Sequence, residues 1–240
     1  TTVAMGQNVQ RIGDYAFSGC VALTDITLSP ELRELGDGVF ENCERLRRVV
    51  LPQSITEIRT GTFSGCTVLQ TVTLPSGLTS IYPYAFAKCA QITEVVIPEG
   101  VTELQNATFS GCTALARVTL PQNLTSIAQS VFADCTSLEE IAIPQTVMRI
   151  ELNAFSGCTN LSAIRVAEGN ANYASDAQGA LLDKAKEKLL LCPEGMSGSY
   201  AIPDGVNQIW GDAFANCQKL TSVSLPASLR MLTYGDIFQG

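Results

Sequence analysis

Phenylalanine recurs at residues 17, 40, 63, 86, 109, 132 and 155, 23 residues apart each time. Cysteine keeps step three positions later, at 20, 43, 66, 89, 112, 135 and 158. Phe214 and Cys217 resume the pair after a gap, and Phe238 closes the series. A fixed period between roughly 20 and 50 residues marks a solenoid or similar array, in which one unit cannot bury its apolar side alone. Stacked copies bury each other's, and each touches mainly its neighbours.

Other rows run at the same period. One is Ile12, Leu35, Ile58, Ile81, Leu104, Ile127 and Ile150, resuming at Ile209 and Leu232. Another is Ile26, Val49, Val72, Val95, Val118, Ile141 and Ile164, resuming at Val223. The unit reads A-F-x-x-C-x-x-L-x-x-V-x-L-P-x-x-L-x-x-I. Its V-x-L-P alternates β-branched and apolar residues and closes on a proline that cannot donate to a ladder, which predicts a strand of three to five residues. Stacked strands then pair in parallel at roughly 4.8 Å. The x-x-I before the next Ala-Phe predicts a second, shorter strand. The Ala-Phe-Ser-Gly-Cys segment predicts a corner, one turn of 3-10 or α-helix with Phe and Cys inward.

The period breaks between Val166 and Ile202. Residues 1–166 are regular repeats, 167–199 an insertion and 200–240 resumed repeats, all in one solenoid. Within the insertion, two apolar runs, Ala180–Leu182 and Leu189–Cys192, flank the charged DKAKEK. This reads as a β-hairpin with a solvated tip, projecting from or packing beside the array, and competes with a short amphipathic helix through the lysines. Cys192 lies outside the cysteine row and is the expected accessible thiol. The 23-residue spacing is not that of a zinc site, and parallel cysteines stacked roughly 4.8 Å apart have Cβ atoms slightly too far apart for a relaxed bridge, so the remaining cysteines are expected as buried, reduced core groups. Neither end shows a polar capping repeat, so the chain reads as a fragment of a longer protein.

The chain has no histidine, which removes Ser-His and Cys-His nucleophilic sites and His-based metal centres. It also has no phosphate-binding glycine loop, dinucleotide fingerprint or calcium loop. Neither a cofactor nor a metal is expected, and the chain is read as non-enzymatic. Adjacent acids such as Glu139 and Glu140 leave an acid-only glycosidase site open. A net charge of −8 argues against nucleic acid, which requires clustered Lys and Arg. No apolar run approaches the 18 or so residues of a membrane span.

The outward strand row reads Asp25, Arg48, Thr71, Glu94, Arg117 and Glu140, so opposite charges meet on neighbouring coils at Asp25 and Arg48, and at Glu94, Arg117 and Glu140. Tyr82, Tyr84 and Trp210 follow the Ile row, where other coils carry Gly, Arg or Gln. Tyr and Trp are the types most enriched at interface hot spots. The candidate binding residues are therefore Tyr82, Tyr84 and Trp210, with Arg48, Arg117 and Arg165 on the strand face as a rival set.

The unit resembles the BspA-like leucine-rich repeats of bacterial and protozoan surface proteins. The interruption is similar too, at Gly169, Asn170, Tyr173, Ser175, Gly179, Leu181, Leu189 and Pro193, then Tyr200, Ile202, Pro203, Gly205, Val206 and Ile209. Ser29-Pro30, where the usual Leu-Pro has slipped by one, departs from the pattern. The resemblance implies an α/β fold: a right-handed leucine-rich-repeat solenoid of 23-residue coils, with short parallel strands, short 3-10 or α turns and one β-hairpin insertion. It also implies display at the cell surface or secretion, and adhesion to a protein or glycan partner. A passive structural stalk presenting another domain is the alternative.

Overall fold

The computed structural model describes residues 1–233; Phe238, the last member of the phenylalanine series, lies outside the described residues. The chain is a stack of coils. Thr2–Ala4, Asp25–Thr27, Arg48–Val50 and Thr71–Thr73 pair in parallel along one face. Glu94–Val96 with Arg117–Thr119, and Glu140–Ile143 with Ala163–Val166, repeat the arrangement. The predicted shorter strand is present as two-residue pairs, as in Glu103–Leu104, Ser126–Ile127 and Arg149–Ile150. The register is the sequence period itself, with Arg48 beside Thr71 and Ile127 beside Ile150.

The corners carry a third set of inter-coil bonds. Phe40 N–H donates to the Thr62 carbonyl at 2.8 Å, Phe63 to Ala85 at 2.8 Å and Phe86 to Thr108 at 2.9 Å. The chain turns through three-residue hydrogen bonds such as Cys66 N–H to the Phe63 carbonyl, 3.1 Å. It does not wind on into helix, because two positions per corner adopt positive φ, as at Tyr84 (59°) and Lys88 (61°). A left-handed residue ends a helical run. Among the described residues a corner becomes a 3-10 helix only at Leu152–Phe155. The helical share of the expected fold is thus reduced to turns, while the solenoid of short parallel strands stands.

The phenylalanines stack. Ring centroids from Phe17 to Phe155 are 5.3–5.9 Å apart, with planes within 14° of parallel. The cysteines form a parallel ladder of their own. Cys43 Sγ lies 3.1 Å from the Phe17 carbonyl oxygen, Cys66 3.1 Å from Phe40, and the series runs to Cys158, 3.0 Å from Phe132. Each thiol donates to a carbonyl of the preceding coil that also accepts an N–H within its own corner. All nine cysteines are free. Burial pushes the Cys43 thiol up to about 11 and the Cys112 and Cys158 thiols up to about 12.

The insertion is a hairpin, and the competing helix is absent. Leu181–Asp183 pairs antiparallel with Lys188–Leu191, and Tyr173–Ser175 lies antiparallel on the other side of Leu181–Asp183. The Asp183 carboxylate accepts the Glu187 and Lys188 N–H groups at 2.8 and 2.9 Å and closes the lysine-rich tip. The hairpin does not project. Lys188–Leu191 pairs in parallel with Gln208–Ile209, so it serves as the short strand of the next coil. Side chains of successive strand residues point to opposite faces. Leu181 and Leu190 accordingly join the core of the regular repeats, while Leu182 and Leu189 join a second core with Ile202, Val206, Ile209 and Phe214. The hairpin is an internal wall.

Side chains of the interruption motif satisfy backbone groups that the next regular coil would have met. Tyr173 Oη accepts the Ile150 N–H at 3.0 Å, and Ser175 Oγ accepts the Val166 N–H at 2.7 Å. The fully buried Asn170 amide donates to the Pro144 and Val147 carbonyls. Tyr200 Oη donates to Asp176, 2.7 Å, whose other oxygen accepts the N–H groups of Gln178, Gly179 and Ala180. At the departure noted in the sequence, Ser29 is buried and donates to the Gln7 carbonyl at 2.8 Å.

Candidate functional site

The two sets of candidate residues occupy different faces. Arg48 and Arg117 stand on the exposed strand face, in register with Asp25 and Glu94. Glu94 and Arg117 close an ion pair at 2.8 Å. Glu140, expected to extend that pair, instead meets Arg165 at 3.2 Å, because Arg165 projects from the neighbouring outward row. Exposed surface pairs of this kind contribute about 0–1 kcal/mol. In the next outward row, two residues beyond Arg48 and Glu94, Val50 and Val96 are 62% and 66% exposed. Shallow grooves cross this face beside Arg48 and Val50, and beside Glu94 and Val96.

The aromatic set is on the corner side and is not one patch. Tyr82 is half-buried with the Arg59 guanidinium 4.7 Å from its ring centroid. Tyr84 is 52% exposed. Trp210 lies beyond the insertion, so it does not join the tyrosines, and it lines a separate cleft.

That cleft, about 800 Å³, opens where the insertion interrupts the corner ladder. Phe155 and Ser156 of the last regular corner form one side, Leu190 to Glu194 the floor, and Trp210 and Asp212 the other side. Its origin is a substitution in the ladder. In regular corners the N–H before Cys finds a carbonyl of the next coil, as Gly65 does with Ala87 at 2.8 Å. Gly157 N–H instead meets the Glu194 carboxylate, Oε1 at 2.8 Å, a side chain reaching across where the backbone does not. Asn216 Nδ2 lies 3.5 Å from the same oxygen. Glu194 is only 8% exposed, and its Oε2 has no hydrogen-bond partner. Burial is the main cause that raises its pKa, and Asp134 adds to the rise, while the Gly157 and Asn216 donors oppose it. Sequence reasoning missed Glu194, which reads there as an ordinary turn residue after proline.

Cys192 is corrected here. It is fully buried, not accessible. Its N–H donates to the Ala213 carbonyl at 2.7 Å, the bond a corner phenylalanine makes, and Cys217 Sγ lies 3.5 Å from its carbonyl oxygen. Cys192 therefore occupies the phenylalanine position of its coil, and Met196 Sδ, 3.6 Å from its Sγ, packs beside it. The exposed thiol is Cys20, and Cys217 is intermediate.

Among the described residues no group of three or more His, Cys, Asp or Glu is placed to hold a metal ion. No helix among them is long and apolar enough to cross a membrane.

The pattern described by the BspA type leucine rich repeat region matches residues 1–115, 79–177 and 197–238, in six copies. The chain belongs to this family. No curated protein matches it. Among solved structures, a leucine rich cell surface protein from Faecalibacterium prausnitzii A2-165 is 28% identical, with a TM-score of 0.79, over 98% of this chain and 69% of its own. The pneumococcal vaccine antigen PcpA is 21% identical, with a TM-score of 0.64, over 95% of this chain and 61% of its own. A leucine-rich repeat protein from Eubacterium ventriosum is 20% identical, with a TM-score of 0.58, over 96% and 55%. The last two share the fold, and this BspA-type chain spans only part of each relative's length.

Proposed function

We propose that this segment is a binding module of a cell-surface protein, which engages a protein or glycan through the strand face and catalyses nothing. The observation that carries the reading is the strand face itself. Its strands pair with those of neighbouring coils, yet Val50 and Val96 remain exposed beside Arg48 and the Glu94–Arg117 pair. Isolated exposed valines are ordinary, but Val50 and Val96 hold the same position on alternate coils, each beside a charged residue, so successive coils add contacts. The description of the Faecalibacterium relative as a cell surface protein supports display outside the cell.

The test is binding of the purified segment to a panel of extracellular-matrix proteins and glycans. Charge reversal at Arg48, Arg117 and Arg165 should abolish binding to whichever ligand responds, with the melting curve unchanged. Replacing Tyr82 and Tyr84 by Ala should matter less. If the aromatic substitutions abolish binding and the arginine reversals do not, the corner side is the interface. Absence of any binding leaves the passive stalk.

A further inference from the structure

The geometry points to the cleft between Phe155, Glu194 and Trp210 as a binding site for a protonated amine carried on a slim apolar stem. It lies away from the strand face and does not depend on that face binding anything.

Glu194 motivates the assignment. Its carboxylate is more than nine-tenths buried in the cleft floor, with one oxygen held by Gly157 and Asn216 and the other without a donor. A buried polar group lacking a partner is costly, and a buried carboxylate lacking a counter-charge more so. Protonation answers the charge but leaves the new O–H without an acceptor. A donor that also brings positive charge answers both.

The rest of the wall selects the same chemistry. Glu151 and Asp212 add two more carboxylates, and no Lys or Arg lines the cleft. Arg149 pairs with Glu151 from outside it. Phe155, Leu190, Leu191 and Trp210 supply apolar surface for a methylene stem. Trp210, 41% exposed at the rim, offers a face on which a cation is favourable. Oε2 itself is closed to solvent, so an ammonium reaches the Glu194 carboxylate as the cleft floor gives locally, with its stem along these side chains. A neutral sugar could stack on Trp210 but would bring no charge to Glu194 or Asp212. Two sources share the chemistry: a free alkylamine, or a lysine side chain of a partner polypeptide.

The chain contains one tryptophan, so its fluorescence reports on this cleft directly. Emission is followed on titration with 1,5-diaminopentane, with Nα-acetyl-lysine amide, with the same lysine derivative acetylated at Nζ, and with glucose. The two amines should give saturable changes, and the acetylated derivative and glucose none. Tighter binding of the lysine derivative would identify a polypeptide source, and tighter binding of the diamine a free amine. Glu194→Gln keeps an oxygen for Gly157 but removes the charge, and should weaken amine binding at least tenfold. Asp212→Asn, at the exposed rim, should weaken it severalfold and serves if the first variant melts early. Equal responses to the amine and its acetylated form, or unchanged affinity in both variants, would overturn the proposal. Because the ligands are small, these outcomes are independent of whether the strand face binds a macromolecule.

Discussion

Leu181 and Leu182 are neighbours in the chain but are buried in different cores, Leu181 with the regular repeats and Leu182 with the resumed ones. A hairpin one strand thick separates the two. Truncating a fully buried leucine costs about 2–5 kcal/mol. Leu181→Ala should therefore increase amide exchange in the coils around Ile141 and Ile164, and Leu182→Ala in those around Ile202 and Val206. Hydrogen exchange read by peptide distinguishes them. Identical exchange patterns for the two variants would mean that the wall does not divide the folding units.

Thiol reactivity follows burial, not position outside the repeat. Under native conditions Cys20 should react first with a chromogenic disulfide reagent and Cys217 second. Cys192 and the six laddered cysteines should wait for unfolding. Raised pKa values add to this protection, since the thiolate is the reactive form. Mass spectrometry of the labelled peptides checks the order, and early labelling of Cys192 would contradict its place in the second core.

The proton on Glu194 gives stability a definite pH slope. Its folded pKa lies above the ordinary carboxylate value, through burial and Asp134. The folded state therefore holds this proton at pH values where the unfolded chain has lost it. Its contribution is greatest below the unfolded pKa and falls away as pH rises through the folded one. Glu194→Gln, which cannot ionise, should match the wild type in melting temperature near pH 4 and exceed it at pH 8. A difference that stays constant across this range would show that Glu194 titrates normally.

Phe86 stands mid-stack, with ring centroids 5.3 and 5.4 Å from Phe63 and Phe109. Phe86→Ala should cost about 3–5 kcal/mol by denaturant melting, as for other large-to-small core changes. The loss should begin locally, since coils touch mainly their neighbours.

The regular coils were legible because the same residue types return every 23 positions, and stacking turns that period directly into register. Phe63 beside Phe86, and Thr79 Oγ1 on the Thr56 carbonyl at 3.1 Å, are both visible as spacings. The insertion obeys no such rule. Leu189 pairs with Ile209, 20 residues on, and Cys192 N–H bonds Ala213, 21 on, whereas the equivalent Phe63 N–H bonds Ala85, 22 on. A bulge between Gly198 and Ser199 restores the full spacing, with Ser199 beside Ser222. Counting 23 back from Phe214 lands on Leu191 and misses Cys192. Glu194 was hidden for another reason: only the broken corner ladder makes a turn glutamate into the partner of Gly157. The hairpin was legible from its two apolar runs, but its role as a wall needed both cores to be seen.

The inter-coil bonds at the strands and at the corners all run along the axis of the stack. Tension applied between the chain ends therefore opens them a coil at a time and does not shear a whole sheet. Each released coil of 23 residues supplies roughly 75–80 Å of extended chain in exchange for roughly 5 Å of stack. Pulled from its two ends, such a stack gives way in coil-sized steps and lengthens many times over.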